Sequence, residues 1–174
     1  MKTIVFALII AHKGFQPVEY LNTKKALEEA GITVHTVSTK LGEAEGTDGS
    51  KVAVDLKLDR LIAGEYQGIA FIGGSGALDD LDTPVSYDII KKAVEENIIL
   101  GAICIAPRIL AKADVLKGKK ATGWDDDNEL ATLFKKHSAT YIKEGVVTDG
   151  TIITATGPAT ATAFGTTLAQ LAKK

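Results

Sequence analysis

Three stretches of the chain are apolar almost without interruption: "IVFALIIA" (4–11), "GIAFIGG" (68–74) and "NIILGAIC" (97–104). Runs that are apolar on both faces are what strands buried inside a parallel sheet require. The first reads as a strand over Thr3 to Ile10. "ITVHTVS" (32–38) alternates instead, and reads as a second strand. Helical spacing fills the gaps. Pro17 to Ala30 repeats apolar residues at Val18, Leu21, Ala26 and Leu27, with Gly31 placed to end the helix. Thr83-Pro84 opens a helix that reaches about Glu96. "APRILAKADVL" (106–116), "DDDNELATLFKKH" (125–137) and Pro158 to Lys173 supply three more, the second opened by acids that suit a helix N-terminus.

The remaining segments predict smaller pieces. "KVAVDLKLDRL" (51–61) reads as an extended piece and a turn, and "KKATGW" (119–124) as a short strand. "EGVVTDGTIITAT" (144–156) places Asp149-Gly150 between two apolar runs, which is a hairpin signal. Strands that alternate with helices imply an α/β sandwich around a mostly parallel sheet. No linker or repeat interrupts the 174 residues, so the expectation is one domain spanning 1–174.

Charge narrows the partners. Twenty basic residues against 22 acidic ones leave a net charge of −2, so neither nucleic acid nor a membrane surface is an expected partner. The longest apolar run falls far short of the ~20 residues of a membrane helix. "MKTIVFALII" leads into "AHKGF" rather than a small-residue cleavage site, and reads as a strand, not a signal peptide. A single cysteine cannot form an internal disulfide, which makes the cytoplasm the expected location.

That cysteine, Cys104, stands where an apolar run ends and a helical pattern begins. In open α/β sheets, sites form beyond the carboxyl ends of strands. A strand–nucleophile–helix turn exposes its side chain, and Ala102, Ala106 and Pro107 suit such a corner. A helix N-terminus there would favour thiolate. Two readings stay open on this pattern: a presented thiol and inert burial. Gly73-Gly74 closes another strand and could present backbone N–H groups to an oxyanion. Glu19 lies in the opening turn of the first helix, where a solvated acid is the plain reading.

Together, "AICIAPRILAKADVLKGKKAT", "FIGGSGA" and "GFQPVEYLNTKKALEEAGITV" resemble the ThiJ/PfpI superfamily (the DJ-one/PfpI family), and "VVTDGTIITATGPATATAFG" extends the likeness over nearly the whole chain. The resemblance implies a flavodoxin-like three-layer sandwich with a nucleophile elbow, and a homodimer. It also implies Cys104 as nucleophile and Glu19 as its carboxylate partner. The backbone N–H groups of Gly74 and Ile105 would be the oxyanion donors. In that family the glutamate is typically protonated and hydrogen-bonds the sulfur.

This chain departs from the pattern. Protease-like members carry a histidine directly after the nucleophile, where Ile105 stands here. Others supply one from the strand after the elbow helix, where Trp124 stands. Amide cleavage needs a proton for the leaving amine, so peptidase chemistry suffers most. A glutamine amidotransferase is disfavoured because no histidine follows His137. His12, just past the first strand, is a pocket candidate beside Gly73 and Trp124, with a rim or interface role favoured. His35 reads as structural and His137 as a helix-end cation. No metal-ligand spacing is present, and no cofactor is expected.

Three functions follow. The first is a cofactor-free enzyme acting on reactive carbonyls, of glyoxalase III or deglycase type. Its partner would be a small carbonyl substrate or a glycated protein, joined to Cys104 as a hemithioacetal. The second is a cysteine redox sensor or stress-response protein. The third, ranked last because of Ile105, is a PfpI-type intracellular peptidase.

Overall fold

In the computed structural model, which describes residues 2–174, the three uninterrupted apolar runs lie side by side at the centre of one sheet. In chain order the elements are β1 (Val5–Ile9), β2 (Lys13–Phe15), α1 (Pro17–Glu29), β3 (Thr33–Ser38), β4 (Gly42–Gly46), β5 (Lys51–Val54), β6 (Leu56–Lys57), β7 (Gly68–Phe71), α2 (Ala77–Leu81), α3 (Pro84–Glu95), β8 (Ile99–Ile103), α4 (Pro107–Lys112), β9 (Lys120–Ala121), α5 (Leu130–Lys136), β10 (Thr140–Tyr141), β11 (Val146–Asp149), β12 (Ile152–Ala155) and α6 (Ala161–Ala172). The main sheet has seven strands in the order β11-β12-β8-β7-β1-β3-β6. Every pairing in it is parallel except the β11/β12 hairpin.

Both faces of this sheet are covered, as the apolar runs demand. β1 sends Phe6 and Leu8 to one face and Ala7 and Ile9 to the other, and all four are fully buried. Tyr20 and Leu27 of α1 join Phe164 and Leu168 of α6 over the first face. Ile90 of α3, Ile109 of α4 and Phe134 of α5 cover the second. The protein is a three-layer α/β sandwich. From β1 the chain builds outward first to β3 and β6, then crosses to β7, β8 and β12. The reversal falls between β1 and β7, and a crevice opens at the carboxyl ends of strands at such a switch point.

The hairpin forms where expected: Asp149 faces Ile152, and Gly150 turns with φ +61°. Other elements differ from the sequence expectation. In α1, Val18 and Leu21 are exposed, and the buried face is Pro17, Glu19, Tyr20, Thr23 and Leu27. The reason is α6, which lies along the Thr23/Ala26 side rather than under Leu21. β2, β4 and β5 form a second, three-stranded sheet that the pattern did not predict. Segments such as "KGF" and "GEAEG" carry too little apolar signal to announce strands. The acids Asp125 to Asp127 do not open a helix. α5 begins only at Leu130, and the Asp125 carboxylate accepts the Leu130 N–H at 2.8 Å from the preceding turn. No helix among the described residues is long and apolar enough to cross a membrane.

The α1–α6 contact is close enough to test. A Cβ on Gly165 would sit 2.8 Å from Ala26 Cβ and 2.9 Å from the Thr23 carbonyl oxygen. Gly165→Ala gains about 1 kcal/mol of helix propensity, but contacts this short put the overpacking cost near the upper end, about 3 kcal/mol, for a net loss of roughly 2 kcal/mol. Urea unfolding measures the balance, and an unchanged or higher midpoint would mean that the two helices are free to part.

Candidate active site

β8 ends at Ile103, and the next residue turns sharply. Cys104 has φ +65°, a left-handed conformation that costs a residue with a Cβ roughly 1–2 kcal/mol. Hydrogen bonds on both sides hold it there. Its N–H donates to the Ala155 carbonyl at 2.9 Å, and its carbonyl accepts the Trp124 N–H at 2.7 Å. The Ala106 N–H closes the turn on the Ile103 carbonyl at 3.1 Å, and Pro107 starts α4, where a missing N–H costs nothing. The side chain of Cys104 therefore leaves the carboxyl edge of the sheet and enters a cavity of about 390 Å³. Glu19, Gly74, Ile105 and Trp124 line this cavity with Cys104, and so do Gln16, Thr47, Ser75 and Pro158.

Glu19 arrives from the other side of the switch point. Gln16 caps α1, its side-chain oxygen accepting the N–H groups of Val18 (2.6 Å) and Glu19 (3.1 Å). The Gln16 N–H donates to the Gly73 carbonyl at 2.9 Å, which ties the start of α1 to the end of β7. This entry angle turns Glu19 inward, where it is fully buried rather than solvated. Its Oε1 accepts the Gly73 N–H at 2.9 Å. A Cβ on residue 73 would stand 2.6 Å from Cys104 Cβ and 2.7 Å from Glu19 Oε1. Only a glycine there lets the carboxyl and the thiol approach each other.

The two groups set each other's proton affinity. Burial pushes the Glu19 carboxyl up to about 7, against the opposing pull of the Cys104 thiol and the Gly73 N–H. Burial, and next the facing Glu19 carboxylate, push the Cys104 thiol up to about 12. The N–H groups of Ile105 and Gly74 bond to the sulfur and pull the other way. Oε2 of Glu19 is buried with no well-aligned hydrogen-bond partner among the described residues, which leaves its lone pairs available. The expectation of a thiol lowered by a helix N-terminus is not met. α4 has only six residues, too little dipole to offset burial beside a carboxylate. Between about 7 and about 12 the pair therefore holds one proton, which belongs to both groups together.

The other expected residues divide. Gly74, Ile105 and Trp124 line the cavity, whereas Gly73 lies beneath it as the floor under Glu19. His12 does not reach the cavity. It lines a neighbouring one of about 540 Å³ with Lys13, Lys40 and Glu45, separated from the sulfur by Thr47 and Ser75, which border both. His35 Nδ1 pairs with the Tyr66 hydroxyl at 3.1 Å, and His137 Nδ1 with Asp114 at 3.0 Å. No three His, Cys, Asp or Glu side chains converge on a metal position among the described residues. Gln16 was missed, although a polar residue directly before Pro17 and a helical run is a cap signal. Thr47 and Ser75 carried no signal in the sequence.

Residues 5–171 match the family model described as the DJ-1/PfpI family. An uncharacterized protein of Methanocaldococcus jannaschii is 35% identical over 166 residues, which covers 95% of this chain and 80% of that protein. A protein of Thermococcus kodakarensis named a deglycase is 29% identical over 151 residues, covering 87% of this chain and 89% of its own. The crystal structure of a ThiJ/PfpI domain protein from Brachyspira murdochii superposes with a TM-score of 0.93 at 26% identity, over 99% of this chain and 98% of that one.

Burial of Glu19 makes stability depend on pH. A carboxyl raised from 4.5 to about 7 favours the protonated fold, so its contribution is complete below 4.5 and is lost as pH rises through 7. Wild type should lose about 3 kcal/mol from this group between pH 4.5 and 8, and Glu19→Gln should abolish the loss. Denaturant titrations at the two pH values check this, and an identical pH dependence in both proteins would contradict it.

Proposed function

The chain belongs to the DJ-1/PfpI family, and from that premise we propose that it is a cofactor-free enzyme acting on reactive carbonyl compounds, with α-oxoaldehydes such as methylglyoxal as the substrate class. The observation that carries this reading is the one-proton pair of Glu19 and Cys104 at the base of a cavity.

The chemistry follows from where that proton can go. As the sulfur attacks the aldehyde carbon, the thiol proton passes to the Glu19 carboxylate, the C–S bond forms, and the carbonyl electron pair moves onto oxygen. The N–H groups of Ile105 and Gly74, which bond to the sulfur, would receive that oxyanion. Glu19 then returns the proton to the oxygen, which completes a hemithioacetal. The same carboxylate removes the proton from the former aldehyde carbon, which leaves an enediol between the two carbons, and delivers that proton to the neighbouring carbon while the hydroxyl proton passes from the first oxygen to the second. A thioester results, and water hydrolyses it to a 2-hydroxy acid and the free thiol. No oxidant is consumed, since one carbon is oxidised as its neighbour is reduced. A carboxyl with a pKa of about 7 suits both halves of such a shuttle. Release of a carbonyl adduct from an amine, as the name of the Thermococcus relative suggests for that protein, would begin with the same attack.

The other readings fit less well. Amide hydrolysis needs an acid at the leaving amine, and among the described residues no histidine lines the cavity. A redox sensor needs a thiolate at rest, and burial beside Glu19 works against one.

Methylglyoxal consumption tests the proposal. Turnover should vanish in Cys104→Ser and fall by about 10²–10⁴-fold in Glu19→Gln. The wild-type rate should rise with pH to a plateau from about 7, as Glu19 becomes a base. Turnover that survives in Cys104→Ser, or peptide hydrolysis in its place, would overturn it.

A further inference from the structure

The loop between β9 and α5 carries Trp124 to the cavity, and one buried cation holds that loop. Arg108 is the second residue of α4, four positions after Cys104, and is only 6% exposed. Its Nη1 and Nη2 donate to the two carboxylate oxygens of Asp127 at 2.9 and 2.7 Å, a paired geometry that fixes direction as well as distance. Nη2 also donates to the Trp124 carbonyl at 3.1 Å. The guanidinium lies over the Trp124 ring, 5.4 Å from its centroid. The Trp124 N–H is meanwhile held by the Cys104 carbonyl. Trp124 is thus fastened at its N–H, its carbonyl and its ring face, and each fastening leads back to the elbow or to α4.

We propose that Arg108 is a positioning residue for the Cys104 cavity: through Asp127 and Trp124 it holds the β9–α5 loop as a fixed wall, and so selects compact electrophiles over bulky ones. The inference rests on Cys104 being the reacting thiol, but not on the aldehyde chemistry. An arrangement made only for stability would be a poor one. Arg108 Nε is buried without a partner among the described residues, and the Asp127 side chain is still 32% exposed, so solvent screens the pair and it adds little to stability. What the arrangement does secure is the place of one indole ring relative to one sulfur.

The chain has one cysteine and one tryptophan, so both ends of this argument can be read directly. The rates of Cys104 alkylation by iodoacetamide and by a bulky dye-linked maleimide would be compared in wild type, Asp127→Asn and Arg108→Lys, alongside Trp124 emission. The proposal expects wild type to react with iodoacetamide and to discriminate against the bulky reagent. It expects that discrimination to fall roughly tenfold in either folded variant, the scale of a lost charge-assisted hydrogen bond. Trp124 emission should shift, while the iodoacetamide rate stays near wild type. Arg108→Lys keeps the charge and loses the fork, so it decides the matter if Asp127→Asn fails to fold. Folded variants with wild-type discrimination and emission would overturn the proposal. So would two variants that both fail to fold, since Arg108 would then serve the fold alone. A wild-type thiol inert to iodoacetamide would instead overturn the reading of Cys104 itself.

Discussion

A carboxyl and a thiol are packed against each other over a residue with no side chain, and most of the site exists to make that contact possible. Glu19 on Gly73 beside Cys104 is a costly arrangement. It buries an acid, strains a backbone and excludes a Cβ. Each cost is met by something specific. The Gly73 N–H satisfies one carboxyl oxygen, the Ala155 carbonyl and the Trp124 N–H pin the strained residue, and Gln16 sets the entry angle of α1. The outcome is a pair that shares one proton from about pH 7 upward, so that attack by sulfur and transfer of that proton are coupled events.

The fold delivers these parts from three separated segments. Glu19 follows β1, Gly73 and Gly74 follow β7, and Cys104 follows β8, and these three strands are neighbours in the sheet. The carboxyl ends of neighbouring parallel strands point the same way, so residues far apart in sequence meet at one edge. The helix that brings Glu19 to the sulfur is also the one that packs closely on α6, with Thr23 and Ala26 against Gly165.

The amino-acid sequence made the central architecture legible because buried parallel strands leave long apolar runs. The corner at Cys104 was legible as a place where a strand ends and a helix begins, but its pattern left a presented thiol and inert burial equally open. Glu19 was not legible from its own pattern. A glutamate in a first helical turn is ordinarily solvated, and Val18 and Leu21 pointed to the wrong face of α1. Its meeting with Cys104 was implied only by the family resemblance. The hold of Arg108 on Asp127 and Trp124 left no trace either, because it depends on a loop that doubles back on α4. "DDDNE" looks like a helix start, yet its acids serve that loop instead. The raised thiol likewise required the structure, since burial and the facing carboxylate outweigh a dipole that the sequence advertises.

The most direct test of the shared proton is the alkylation rate of the single thiol from pH 5 to 11, in wild type and in Glu19→Gln. The account predicts that the wild-type rate climbs to about 7 and then levels, because beyond that point the pair keeps one proton and its thiolate fraction stays constant. In Glu19→Gln the levelling near 7 should disappear, leaving a single thiol titration that starts below the wild-type value of about 12. Profiles of the same shape in both proteins, with no break near 7, would contradict the coupling on which the account depends.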